Sequence, residues 1–303
     1  MAFLPTDKEL AKLAKRRPRR SRPVKPNRLQ ESKLRQAMSL LWRDILLPAT
    51  ERIQYLVRSG ASIQAITDEL ERALLLTRTQ YAGLAPGIID MWKAGVNREV
   101  QNAIVRSMTS SLGIDLSAVL TQPDVSEAMA AATLRSVQTI TSIPSEYLGQ
   151  IARAVADNFS GVPLSEGRSL LGEIQQLGFT SYRRSKMIAR DQTSRLTAAL
   201  NAHRQQAVGI EMYVWRCVLD MAVVGNPSGV SPVGNKAHGD HWDLEGMYCK
   251  WSDNSVYSDD KGQTWKKRPS AWSKLAPGGE ILCRCWADPI VDPPKIVQKL
   301  ITY

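Results

Sequence analysis

Apolar residues recur at every third or fourth position through most of the first 210 residues, which is the spacing of amphipathic α-helices. In the stretch 34–60 this spacing is interrupted once, at Pro48, and this predicts a helix pair or one kinked helix. Glycine and proline divide the rest of the pattern into shorter segments, because both disfavour helix interiors. The helices predicted next along the chain are 62–83, 88–113 and 124–143.

A second group of helices is predicted after residue 144, at 145–159, 165–177 and 180–209, with Gly178 separating the last two. On the last helix, several polar residues are three or four positions apart and therefore share one face. These residues are Arg190, Thr193, Thr197, Asn201 and Arg204. A polar stripe is typical of a solvated surface, although Arg190 and Asp191 are also suited to hold a neighbouring segment by hydrogen bonds.

The pattern changes after Gly209, where six of the eight tryptophans and most paired turn residues are found. Residues 209–224 alternate well enough for a strand, and the Gly- and Pro-rich residues after them predict a loop. The short apolar stretch "LCRCWADPIV", 282–291, predicts a final strand. The predicted fold class is α+β, with a mostly helical N-terminal two-thirds followed by a small C-terminal module rich in Trp and turns.

The net charge of +11 is concentrated at the start of the chain. Residues 1–36 hold 12 of the 40 Lys and Arg residues but three of the 29 acidic ones. Mutual repulsion and the lack of apolar periodicity predict an extended basic arm that contacts phosphates or an acidic protein surface. A solvated leader and a short basic address are the alternatives. The candidate binding residues are Lys15, Arg16, Arg17, Arg19, Arg20, Arg22, Lys25 and Arg28.

Several classes of protein fit the sequence poorly. It has no apolar run of about 18 residues, and charged residues follow Met1 too closely for a secretory signal, so we expect a protein kept in the cytosol or in a particle assembled there. Four cysteines are too few for a disulfide scaffold. A disulfide between Cys283 and Cys285 would also close a strained ring.

All three histidines and all four cysteines follow residue 200. Thiolates and imidazoles are the preferred ligands of tetrahedral zinc, so one interpretation is a structural zinc site. Its candidate ligands are His241, Cys249, Cys283 and Cys285, with His238 or Cys217 in reserve. The alternatives are cysteines that serve as small buried residues, and a metal-dependent hydrolase in which His238, His241 and a nearby Asp hold a catalytic ion.

Taken in order, three segments of the chain resemble the phage head morphogenesis family, the Mu F-like minor head proteins. They are "IARDQTSRLTAALNAHRQQAVGI" with the strand after it, "HWDLEG", and "PGGEILCRCWADPIV". Two positions differ from the family pattern, which usually has a Glu after Ala-Arg-Thr and an Arg two residues after the Asp of the next strand. Here Asp191 or Gln192 stands at the first position and Ala222 at the second. The residues that carry the resemblance are Ile188, Ala189, Arg190, Asp191, Thr193, Asn201, Arg204, Gly209, Trp215, Asp220, His241, Leu244, Gly246, Cys283, Arg284, Cys285 and Pro289.

The resemblance covers about half of the chain and implies a structural protein rather than an enzyme. It implies a minor head protein inside the capsid at the portal vertex of a tailed bacteriophage, present in the host cytoplasm during assembly. Its expected partners are portal protein, packaged double-stranded DNA and capsid or scaffold protein, without a membrane. Arg190, Asp191, Asn201, Arg204, Trp215 and Asp220 would form a structural network.

The predicted organisation is a basic arm at 1–36, a helical region at 37–143 and a head morphogenesis module at 144–303. Within the module, helices occupy 145–209, an α+β part 210–292 and a tail 293–303.

Overall fold

The computed structural model describes residues 6–113, 117, 124–218, 241, 243–270, 272, 274–280 and 283–301. The described residues are 67% helical with a small C-terminal region of few strands, which confirms the predicted α+β class. It forms two compact units, each built from separate parts of the sequence. The mixed unit comprises Met1–Asn27, Ala94–Met129 and Thr193–Tyr303, and the helical unit comprises Arg28–Lys93 and Ala130–Gln192.

Seven α-helices are present in the described part of the chain. They are α1 (Asp7–Leu13), α2 (Arg28–Leu41), α3 (Leu47–Arg58), α4 (Ile63–Leu112), α5 (Ser126–Phe159), α6 (Leu170–Ala207) and α7 (Pro293–Ile301). A π-helical turn, Trp42–Leu46, joins α2 to α3, and a 3-10 turn, Ser165–Gly167, precedes α6. The π turn stands immediately before Pro48, where the sequence predicts a break.

Several helices continue through residues that were predicted to end them. Pro86 lies inside α4 and Pro144 inside α5, and α6 runs through Gly178. In the helical unit, a Cβ atom at residue 178 would lie 3.3 Å from the Tyr147 hydroxyl. Gly178 therefore permits a close approach between α5 and α6, and this packing outweighs the low helix propensity of glycine.

The main sheet of the mixed unit has four antiparallel strands in the order β1-β6-β2-β3. The strands are β1 (Arg19–Arg20), β2 (Met212–Arg216), β3 (Tyr248–Lys250) and β6 (Trp286–Val291). A separate hairpin pairs β4 (Val256–Tyr257) with β5 (Lys266–Lys267). Both predicted strands are present but shorter than predicted, and the paired cysteines lie just before β6 rather than within it.

The basic N-terminal segment differs most from its prediction, because from Thr6 onward it is folded into the mixed unit. Thr6 and Glu9 form a capping box at the start of α1, and β1 pairs with β6. The Ser21 hydroxyl lies 2.6 Å from that of Ser107. Although this segment has few apolar residues, Leu13 and Val24 are 1% and 5% exposed. Burial of these two side chains and pairing at a sheet edge hold the segment in place.

No described helix is both long enough and apolar enough to cross a membrane.

Candidate metal centre

The sheet of the mixed unit carries a core rich in aromatic residues and cysteines on one face. Tyr213 and Trp215 on β2 share one face of the sheet, with the buried Val214 between them on the opposite face, and Cys217 continues the same period of two just beyond the strand. All four cysteines are buried in this core, and none forms a disulfide. The further members of the core are Leu244, Cys249, Trp251 and Ala287.

A tight turn holds the two C-terminal cysteines in position. Gly278 has φ +82°, a conformation that side chains disfavour, and its N–H donates to Cys283 Sγ at 3.3 Å. The N–H of Cys283 in turn donates to the carbonyl oxygen of Glu280 at 3.1 Å. The turn therefore directs a backbone donor at one thiol sulfur.

The segment that contains His241 is fixed to the end of β2. Backbone hydrogen bonds join Trp215 to Gly246 and Met247 at 2.9 and 2.8 Å. The Glu245 carboxylate accepts hydrogen bonds from the Cys217 N–H and, at 2.7 Å, from the Arg216 guanidinium. These contacts hold residues 245–247 alongside the end of β2 and Cys217.

Three potential metal ligands converge in the core of the described structure. The Nδ1 atom of His241 lies 3.4 Å from Cys285 Sγ and 3.5 Å from Cys283 Sγ. The ligand atoms of these three residues all lie within 4.8 Å of one another, and all three residues are buried. The rings of His241 and Trp215 are perpendicular, with centroids 5.9 Å apart and planes at 89°.

Cys217 adjoins this group. Its Sγ lies 2.7 Å from the carbonyl oxygen of His241, and its thiol also interacts with that of Cys285. Interactions with Cys217 and Cys283, together with burial, raise the pKa of Cys285. Hydrogen bonds from Cys285 and then His241 lower the pKa of Cys283 to about 5 against the effect of burial. The cluster therefore supports a thiolate at Cys283.

The described structure does not bring Cys249 to this group, and the sulfur of the reserve residue Cys217 lies beside the backbone of His241. Cys249 on β3 pairs with Tyr213 on β2, and Tyr213 precedes Cys217 by four residues. At about 3.3 Å per residue, this offset is roughly 13 Å along the strand. Burial raises the pKa of Cys249, whose neighbours are Arg268 and Tyr213.

The predicted structural network is divided between the two units. In the mixed unit, Arg204 Nη2 donates to Asn97 Oδ1 at 2.6 Å, and Gln205 Nε2 donates to Asn201 Oδ1 at 2.8 Å. The Trp251 indole N–H extends this chain to Gln205 Oε1 at 3.0 Å. Desolvation lowers the pKa of the buried Arg204. Sequence reasoning missed Asn97, Gln205 and Trp251. Gln205 follows Asn201 by four residues, so helical spacing was an available signal for this pair. No spacing or motif joins Asn97 or Trp251 to Asn201.

Arg190 and Asp191 belong to the helical unit, where the Gln192 side-chain amide donates to Asp191 Oδ2 at 3.2 Å. Gln192 Oε1 also accepts a hydrogen bond from Ser136 at 2.9 Å. Asp220 and His238 lie outside the described residues, as does Ala222. The pairing of His238 with His241 required by the hydrolase alternative therefore remains a prediction. His241 itself is 7% exposed and faces two thiols.

Comparison with known proteins leaves the family open. No family model matches the chain, and no solved structure matches it. A curated protein of Haemophilus influenzae strain Rd, described as an uncharacterized protein, is 27% identical over 303 residues. The alignment covers 96% of the chain and 60% of that relative, so the chain spans less than two thirds of the relative's length.

Proposed function

We propose that the chain is a non-enzymatic minor head protein of a tailed bacteriophage, located inside the capsid at the portal vertex. It acts in head assembly and in genome packaging or delivery by binding portal protein and packaged double-stranded DNA. One observation carries the proposal: many of the residues that resemble the phage head morphogenesis family lie buried in the core of the mixed unit.

These residues stabilise the interior of the mixed unit. Trp215 is fully buried, and Asn201, Arg204 and Cys283 are 3%, 2% and 1% exposed. The described cavity that reaches Cys285 has a volume of about 10 Å³. Pockets that bind small molecules usually measure about 300–1,000 Å³. A larger cavity of the mixed unit, about 600 Å³ and lined by Met212, Lys250 and Trp265 among others, includes none of the residues that carry the resemblance. Those residues therefore favour a role in holding the module together.

The folded basic segment supplies a surface suited to phosphates. We name the exposed side chains of Lys15, Arg17, Arg20, Arg22 and Lys25 the basic ridge; all five belong to the mixed unit. The β1–β6 pairing fixes the backbone of this ridge, and the Lys25 ammonium lies 4.0 Å from the centroid of the Trp286 ring. Because the backbone is already ordered, binding of a polyanion would lose less conformational entropy than binding by a free arm.

The remaining candidate cations differ from the ridge. The Arg16 guanidinium donates to the carbonyl oxygen of Leu112, so this residue holds α4 in the mixed unit. Arg19 contributes its backbone to β1, and Arg28 begins α2 in the helical unit. The proposal therefore assigns phosphate contact to the five ridge residues.

The experiment that tests this function is an in-frame deletion of the coding sequence in the phage or prophage genome that contains it. We expect the chain in purified wild-type heads by mass spectrometry, and heads of the deletion strain to package or deliver DNA poorly. Complementation by the full chain should restore infectivity. Fully infectious particles from the deletion strain, together with absence of the chain from wild-type heads, would refute the proposal.

A further inference from the structure

We infer that Cys217, His241, Cys283 and Cys285 form a closed structural zinc site with three sulfur ligands and one nitrogen ligand. The inference does not depend on the proposed function, since it rests on the positions of four side chains in the core of the mixed unit. The site would join the end of β2, the segment that contains His241 and the turn before β6.

The spacing of the ligand atoms matches tetrahedral zinc. Zn–S bonds of about 2.3 Å and Zn–N bonds of about 2.0 Å place neighbouring sulfur and nitrogen ligands roughly 3.5 Å apart. The distances from His241 Nδ1 to the sulfur atoms of Cys285 and Cys283 are 3.4 and 3.5 Å. These two distances suit one ion bound by all three residues, whose ligand atoms lie within 4.8 Å of one another.

Hydrogen bonding alone explains this arrangement less well. Each ring nitrogen of a neutral imidazole carries either one lone pair or one hydrogen. Two thiol sulfur atoms nevertheless lie at almost the same distance from the same nitrogen, so they compete for one hydrogen-bonding position. An ion between them would satisfy His241, Cys283 and Cys285 together.

Cys217 supplies the fourth ligand. Its sulfur lies 2.7 Å from the carbonyl oxygen of His241. Cys217 is not among the three residues whose ligand atoms lie within 4.8 Å of one another, so its side chain has to turn toward the ion. Structural zinc sites favour four protein ligands, commonly three cysteines and one histidine. Zinc binding releases the protons that the thiols still carry and changes no oxidation state.

The surroundings favour a structural ion over a catalytic one. Gly278 donates its N–H to Cys283 Sγ, as backbone donors do to the sulfur ligands of metal sites. Trp215 and Leu244 are fully buried in the core around the cluster, and the ligands are themselves buried. An ion with four protein ligands and an apolar shell has no open position for a substrate.

The first test is the zinc content of the purified full-length chain and its variants. We expect about one zinc per chain in the wild type. Separate Cys217→Ser, Cys283→Ser, Cys285→Ser and His241→Ala substitutions should each leave little or no zinc, because a structural site uses four protein ligands. Cys249→Ser is the matched control, because it removes a buried thiol from the same core and should retain the zinc.

The second test needs no variant and so does not depend on mutant folding. X-ray absorption at the zinc edge of the wild type should show three sulfur atoms at about 2.3 Å and one nitrogen atom at about 2.0 Å. Two sulfur atoms with two lighter ligands would overturn the assignment of three sulfur ligands and one nitrogen ligand. A folded wild-type chain that contains no zinc, and takes up neither added zinc nor cobalt, would overturn the site itself.

Discussion

Substitution of Gly278 by alanine tests the turn that positions Cys283. The new Cβ would lie 2.9 Å from Ala198 Cβ and 3.4 Å from the carbonyl oxygen of Ser194. The left-handed backbone costs about 1–2 kcal/mol for an alanine, and the overpacked contact adds about 1–3 kcal/mol. We therefore expect Gly278→Ala to lower the free energy of unfolding of the mixed unit by about 3 kcal/mol.

Gly246 provides the matched control for this prediction. It has φ +79°, close to that of Gly278, but a Cβ there would meet no atom within 4 Å. Gly246→Ala should therefore cost only the backbone strain, about 1 kcal/mol. The two variants should differ by about 2 kcal/mol, or about 1 M in urea midpoint for a slope near 2 kcal/mol/M.

The assay is urea unfolding of both variants and the wild type, followed by circular dichroism and tryptophan fluorescence at one fixed zinc concentration. Equal destabilisation by the two substitutions, within about 0.5 kcal/mol, would refute the reasoning, because the contact with Ala198 would then contribute nothing.

Three other predictions address the helical unit, the β4–β5 hairpin and the basic ridge. Tyr147 is 1% exposed and its hydroxyl lies 3.1 Å from that of Thr50, so Tyr147→Ala should lower the free energy of unfolding by about 3–5 kcal/mol in thermal or urea unfolding. The control Tyr55→Ala, at a position that is 66% exposed, should lower it by about 0.5 kcal/mol or less. Hydrogen bonds from Ser258 and then Thr264 lower the pKa of Asp260 below its usual value of 3.8, so the Asp260 carboxylate stabilises the hairpin fully above pH 3.8 and loses this effect as the pH falls further. Asp260→Asn should remove this acid transition from an NMR titration, and an unchanged transition would contradict the assignment. Loss of three ridge charges should reduce the slope of log K against log salt for duplex DNA binding by about 2.7, as measured by fluorescence anisotropy. An equal reduction on loss of three exposed cations elsewhere would show that the ridge is not the DNA-binding surface. The ridge variant is Arg17→Ala, Arg20→Ala and Arg22→Ala, and the control is Arg78→Ala, Arg98→Ala and Lys267→Ala.

Local periodicity predicted the class of the fold because the amphipathic pattern is strong in the helices. It placed helix ends poorly where tertiary contacts outweigh local preference. Gly178 resembles a terminator in the sequence, yet its missing side chain allows Tyr147 to pack against α6. The N-terminal segment was predicted as a free arm for a similar reason, since neither its pairing with β6 nor the burial of Leu13 can be detected from composition.

The candidate metal centre was predictable in part. His241, Cys283 and Cys285 were identified by ligand chemistry and meet in the core. Cys249 was preferred to Cys217 because sequence order alone does not give the position of a residue along a strand. The period of two through Tyr213, Trp215 and Cys217 was the available signal, since it places these three residues on one face.

We propose that the chain is a binding component of a phage head. The most direct test is a side-chain-resolution cryo-electron microscopy map of the DNA-filled particle formed by the phage that encodes the chain, reconstructed around the portal vertex without imposed symmetry. We predict density inside the capsid into which the mixed unit fits, with its basic ridge against DNA or portal protein. A well-resolved vertex whose density is fully explained by other proteins, in particles that lack the chain by mass spectrometry, would contradict the claim.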